Sequence, residues 1–251
     1  MRHGLGTLAW LERTHGQLGL RDRLAMLAQG VRARAATRER LTQGIKVRHI
    51  EVDSILPPDS AIAREAMAMM IEASPPFLIN HCLRAYFWAR LLDDGARSHD
   101  DEALFVALML HDMGLTDGHR LAGTEERCFT LVGARMAENL GAQHSWGGQR
   151  CRIAAEAIAL HLNVVVDPRH GREAELVRAG SGGDVAGLGL DVLHGDQIDA
   201  VCGRYPRLGF KQQVVSPLRL ETEHRPGCRI AFMMDKLGFE RLIANAPMFA
   251  E

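Results

Sequence analysis

Leu104–Leu115 reads LFVALMLHDMGL. Seven apolar residues run without a break into His111 and Asp112, and Met113–Gly114 follow at once. An apolar run of this length reads as an element buried on every side. The run alone fits a fully buried helix or a fully buried strand, and the chain as a whole is expected to be a single all-α domain with helical extensions. Gly114 is expected to close that helix in the left-handed conformation. An imidazole and a carboxylate at the end of a buried element need partners, because unpaired polar groups in an apolar interior are costly. A metal ion would satisfy both and would draw two ligands from one rigid element. A helix end with a histidine near the dipole and a solvated aspartate would need no metal.

Composition narrows the classes around that helix. A chain of 251 residues with 47% hydrophobic and 24% charged residues suits one large globular domain or two small ones. Thirty basic against 31 acidic residues give a formal net charge of -1, which supplies no global field for nucleic acid or an anionic membrane. The five cysteines are scattered and never in a CxxC spacing, which argues against a thiolate zinc site and for a reducing, cytoplasmic location. No apolar run approaches the ~18 residues that span a bilayer.

Residues 1–45 predict one or two amphipathic helices, an extension to a main domain over 46–251. Its apolar stripe could cap that domain or make a homodimer contact. Ile45–Leu56 partly alternates, as a short strand or extended connector does. Pro57-Pro58-Asp59-Ser60 signals a turn and a helix cap. Helices are expected over 61–74, from Pro76 up to the break at Gly95, over 102–113, from Phe129 to a stop at Gly141, and over 150–166. The stretch 173–199 reads as helix interrupted by AGSGGDVAGLGLDVL, and a last helix falls near 227–245.

A metal at His111 and Asp112 needs further ligands, about four in all. His81 lies mid-helix in NHCLRAYFWARLL, where it could be a ligand or a core histidine bonded to a carbonyl. Arg84, one turn on, could hold an anionic substrate group or pair with an acidic neighbour. Asp184 stands among Gly180, Gly182, Gly183 and Gly187. Those glycines would let backbone approach a cofactor or another helix closely, or they mark a loop in which Asp184 caps a helix.

The order His81 … His111-Asp112 … Asp184 resembles the HD-domain superfamily of metal-dependent hydrolases. The phrases LPPDSAIAREA, NHCLRAYFWARLL, LMLHDMGLT, GSGGDVAG and YPRLGFK, spread over roughly residues 50 to 250, resemble its cyanamide hydratase branch. The resemblance implies an all-α HD-domain helical bundle with N- and C-terminal helical extensions. It implies His81, His111, Asp112 and Asp184 as ligands of one divalent metal, foremost Zn2+, with Fe2+ or Mn2+ as alternatives. It departs from the branch at Thr130, where members often carry an acidic residue; Glu125 and Glu126 lie nearby but out of register.

On this reading, hydroxide generated at the metal attacks a small nitrile such as cyanamide and gives urea. Asp112 belongs to the reacting centre, Thr116 and His161 are the candidates for proton delivery, and Arg84 contacts the substrate. A phosphohydrolase acting on a nucleotide or phosphate ester is the alternative, although no cluster of Lys or Arg surrounds the ligands in sequence. A di-iron oxidase would need two further histidines, from His119, His144 and His161. A scaffold protein with a degraded site is the non-enzymatic reading.

Overall fold

The computed structural model describes residues 4–44, 46–120 and 128–249, and among them every regular element is helical. The N-terminal part holds α1 (Leu8–Thr14) and α2 (Leu20–Gln43). Then come α3 (Ala61–Ala73), α4 (Pro76–Leu91), α5 (Asp101–Leu110), the short α6 (Asp117–Arg120), α7 (Phe129–Gln143), α8 (Gly148–Leu160) and α9 (Arg172–Ala186). The C-terminal part runs through α10 (Gly195–Arg204), α11 (Phe210–Gln213), α12 (Val215–His224), α13 (Arg229–Lys236) and α14 (Phe239–Ala244). No described helix is long and apolar enough to cross a membrane.

The apolar run is the centre of the bundle, as expected. Ala103–Leu110 of α5 are all buried, and α3, α4, α7, α8 and α9 pack around it. Each fully buried Leu, Val, Met or Phe contributes about 1.5–3 kcal/mol by leaving water. The helix starts where Asp100 accepts a hydrogen bond from the Ala103 amide, and Arg150 holds that carboxylate from outside. In α3 the cap is Ser60, whose hydroxyl accepts from the Ala63 amide. Pro76 opens α4 at a position that needs no amide hydrogen.

Several local readings give way to packing. Gly114 is not left-handed; it lies in a 3-10 turn, Met113–Leu115. A Cβ there would meet the Phe129 carbonyl oxygen at 2.4 Å, so the glycine serves the close approach of α7. The glycine-rich segment interrupts the helix only in its second half: α9 runs straight through Gly180, Gly182 and Gly183, ends at left-handed Gly187, and α10 starts at Gly195. A Cβ on Gly180 would stand 2.2 Å from the Ala85 carbonyl oxygen, which shows how tightly α9 lies against α4. The α7 helix continues past Gly141 to Gln143 and Gly238 divides the last helix into two, while residues 46–56 take the connector alternative, with one 3-10 turn at Val52–Ser54.

The two N-terminal helices differ in kind. Leu8, Trp10 and Leu11 of α1 are buried, and the Leu8 amide donates to Glu156 of α8 at 2.7 Å. In α2 only Met26 is buried among the described side chains, while Leu20, Leu24, Leu27 and Val31 are exposed. Its apolar stripe therefore faces outward rather than into the bundle.

Candidate metal centre

Three helix positions meet at one point. His81 comes from the middle of α4, and His111 and Asp112 follow the last turn of α5. His81 Nε2 and His111 Nε2 are 3.1 Å apart, and each lies 3.4 Å from Asp112 Oδ2. All three residues are buried, and they are the group of side chains among the described residues arranged to hold a metal ion.

Proton bookkeeping decides what this triangle can hold. His111 Nδ1 lies 2.7 Å from the Leu108 carbonyl oxygen, which can only accept, so Nδ1 carries the hydrogen. His81 Nδ1 lies 2.8 Å from Asp184 Oδ2 and donates to that carboxylate. Both Nε2 atoms then present lone pairs, toward each other and toward a carboxylate oxygen. With His81 neutral, three acceptors converge with no donor among them. A divalent cation satisfies all three at once, and ligand atoms around a tetrahedral zinc with bonds of roughly 2.1 Å stand about 3.4 Å apart. The donor set therefore fits the metal that the sequence implies.

The electrostatics point the same way. Burial disfavours a charged His81, yet hydrogen bonds and charge from Asp112 and Asp184 outweigh it and raise its pKa. The negative potential that holds a proton there would hold a cation too. Burial also works against ionised Asp112, but His111 and His81 hold it well below the usual carboxylate range. His161 Nδ1 donates to the Ile158 carbonyl at 2.7 Å, leaving Nε2 as a lone pair 3.7 Å from Asp112 Oδ1. Burial, and then the neighbouring His111, push its pKa down to about 3.

Asp184 sits elsewhere than expected. Its carboxylate lies on the far side of the His81 ring, where Oδ2 meets His81 Nδ1 and Arg84 Nη2, both at 2.8 Å. Oδ1 accepts from Arg84 Nε at 2.7 Å, Trp88 Nε1 at 2.8 Å and Arg207 Nη1 at 3.3 Å. With its oxygens so engaged, Asp184 orients His81 and does not join the converging triangle. Burial opposes its charge, and Arg84 with His81 overcomes that and holds the carboxyl well below its usual range.

Arg84 and Thr116 also depart from expectation. Arg84 is fully buried, forked onto Asp184, and its Nη1 donates to the Tyr205 and Pro206 carbonyls at 3.0 and 3.1 Å. It is a structural cation and does not line the cavity beside the metal centre. Thr116 donates its hydroxyl to the Met113 carbonyl at 2.8 Å and meets His119 Nδ1 at 2.9 Å, so it closes the turn and does not line the cavity. His144 pairs with Glu65, and neither it nor His119 lines that cavity, so the two extra histidines of a di-iron site are not brought in with His161. Thr130 accepts from the buried Arg229 at 3.0 Å. Glu125 and Glu126 lie outside the described residues.

Trp88, Arg207 and Phe210 were not singled out from sequence, yet each supports the site. Phe210 stacks on the His81 ring with centroids 4.9 Å apart. The spacing of 81, 84 and 88 places the three on one helix face, and that signal was available. Above the triangle lies a cavity of about 460 Å³, whose walls include His81, His111, Asp112, His161 and Asn163. Its lining is mostly apolar side chain from α2, α7, the segment after α8, α9, α12, α13 and α14. Arg34, Arg38 and Arg178 also line it, so a cationic group that the sequence did not reveal does face the site.

Comparison with known proteins agrees with this architecture. Residues 78–181, which contain both histidines and Asp112, match the HD domain family model. The chain is also 24% identical over 174 residues to two proteins of Saccharomyces cerevisiae, cyanamide hydratase DDI2 and cyanamide hydratase DDI3. Those alignments cover 68% of this chain and 76% of each relative. The all-α bundle with the His-Asp pair closing its innermost helix thus contains a segment, residues 78–181, that matches the HD domain, and the chain is distantly similar to cyanamide hydratases.

Proposed function

We propose that the protein is a metal-dependent hydratase that adds water across the carbon–nitrogen triple bond of a nitrile-type substrate, cyanamide among them. The observation that carries this reading is the convergence of three lone pairs, from His81, His111 and Asp112, at the floor of an apolar cavity. A divalent cation held there supplies acidity that brings the pKa of water from 15.7 to near ~7 and polarises the nitrile.

The chain's own residues do the rest. Asp184, held by Arg84, Trp88 and Arg207, fixes the His81 tautomer so that Nε2 points inward. Leu108 does the same for His111. His161 is uncharged at neutral pH, and its Nε2 is the acceptor beside Asp112. It is the residue placed to take the proton released as water adds to carbon and to pass it to the nitrogen that gains charge. The apolar walls keep bulk water from competing for that proton. From cyanamide the product is urea.

The test is urea formation from cyanamide by wild type and by His161→Asn. His161→Asn is expected to keep its metal while losing about 10²-fold or more in kcat. Undiminished turnover in that variant would remove the relay. A phosphate-ester reading is favoured by one observation, the arginines at the cavity. Phosphate release from a nucleotide panel, with no urea from cyanamide, would select it.

A further inference from the structure

Arg229, the first residue of α13, is fully buried, and among the described residues no carboxylate pairs with it. A buried charge without an opposite charge is costly, and hydrocarbon of the same size often serves a core as well. Its hydrogen-bond partners are neutral. Nη2 donates to the Ala159 carbonyl at 2.8 Å and to the Thr130 hydroxyl at 3.0 Å, and Nη1 donates to Asn163 Oδ1 at 2.8 Å. Ala159 and Asn163 stand two residues to either side of His161.

That turn is the end of α8, where the last carbonyls of a helix have no partner within it. Here each has found one from outside the ladder. The Ile158 carbonyl accepts from His161 Nδ1 at 2.7 Å, the Leu160 carbonyl from the Asn163 amide at 2.8 Å, and the Ala159 carbonyl from Arg229. A cation at this end also opposes the helix dipole. The N-terminal segment closes the bridge from the other side. Asn163 Nδ2 donates to the Leu5 carbonyl at 2.8 Å, and the Arg229 guanidinium lies 5.6 Å from the centre of the Trp10 ring. Gly6 runs so close that a Cβ there would stand 2.1 Å from Asn163 Oδ1 and 2.5 Å from Arg229 Nη1. With its amide taken at both ends, Asn163 holds the turn rather than the substrate.

We infer that Arg229 is a positioning residue for His161, clamped by the N-terminal segment, so that two parts of the chain outside the matched residues 78–181 complete the reacting centre. The inference rests on the hydratase reading, in which His161 relays the proton. The planar fork is what the role needs. A lysine keeps the charge but is a single point on a flexible stem, and it does not fix Ala159 and Asn163 together.

The experiment compares full-chain wild type with Arg229→Lys and with Gly6→Ala, which presses on the same bridge without touching the arginine. With cyanamide, Arg229→Lys is expected to lose about 10²-fold in kcat, the cost typical of a misplacement of ~1 Å. Gly6→Ala is expected to lose kcat in the same direction, and in both variants KM and metal content are expected to stay as in wild type. A second readout is independent of turnover and uses chelator-treated protein carrying isotope-labelled histidine. The Nδ1–H signals of His161 and His111 report the hydrogen bonds to the Ile158 and Leu108 carbonyls. Both variants are expected to shift or broaden the His161 signal and to leave that of His111 in place.

Wild-type kcat in the two variants, or histidine signals that persist together or fail together, overturns the inference and leaves the hydratase reading standing if wild type makes urea. A wild type that makes no urea, with the His161 signal alone responding, sinks the hydratase reading and keeps the positioning role. No urea and no selective response removes both.

Discussion

Three imidazoles at this site owe their direction to the nitrogen that faces away from it. Leu108 and Ile158 offer carbonyls to His111 and His161, and Asp184 offers a carboxylate to His81. A carboxylate behind a ligating histidine makes it a better donor, and losing such a partner typically costs ten- to a hundredfold in metal affinity. Asp184→Asn should therefore weaken the metal by about that factor in a competition titration. A loss as complete as that of His111→Ala would instead make Asp184 a ligand itself. Arg84→Met should unfold the protein far more readily, by about 3–5 kcal/mol in urea titration, because it strands a buried carboxylate. A cost below ~1 kcal/mol would show that Trp88, Arg207 and His81 suffice to hold it.

Helix packing explains which parts of the molecule could be read in advance. The innermost helix was plain in sequence, since eight buried residues in a row, Ala103–Leu110, leave no face for solvent. His81, His111 and Asp112 each also fitted a plain structural role, and only their order along the chain, through its resemblance to the HD superfamily, joined them into one site. The place of Asp184 was not legible in the sequence, because it depends on Arg84, Trp88 and Arg207 arriving from two separate segments. Glycine misled for a related reason: a residue without Cβ signals either freedom or crowding, and its neighbours across the chain decide which. Gly180→Ala drives a methyl into the Ala85 carbonyl and should cost about 1–3 kcal/mol, whereas Gly182→Ala meets only Leu188 at 3.5 Å and should gain up to ~1 kcal/mol from helix propensity. Thermal or urea unfolding of the two variants checks the contrast. Equal effects would refute the tight contact of α4 and α9.

At the scale of the whole molecule, the buried histidine cluster ties stability to pH. The folded chain keeps His161 neutral down to about pH 3, while in the unfolded chain it takes up a proton near its ordinary value of ~6.5. The unfolded state binds more protons in between, so this contribution is full above about pH 6.5 and is lost as pH falls toward 3. In metal-free protein, wild type should lose about 2 kcal/mol more than His161→Asn between about pH 8 and pH 5. Parallel losses in the two proteins would mean that His161 is not held neutral by the fold.

The central claim is that His81, His111 and Asp112 hold one divalent cation. The most direct measurement is the metal content of purified wild type and of His111→Ala after both are dialysed against the same limiting metal. We expect close to one ion per chain in wild type and almost none in the variant. Full occupancy in His111→Ala, or a wild type that takes up no metal at all, would contradict the account.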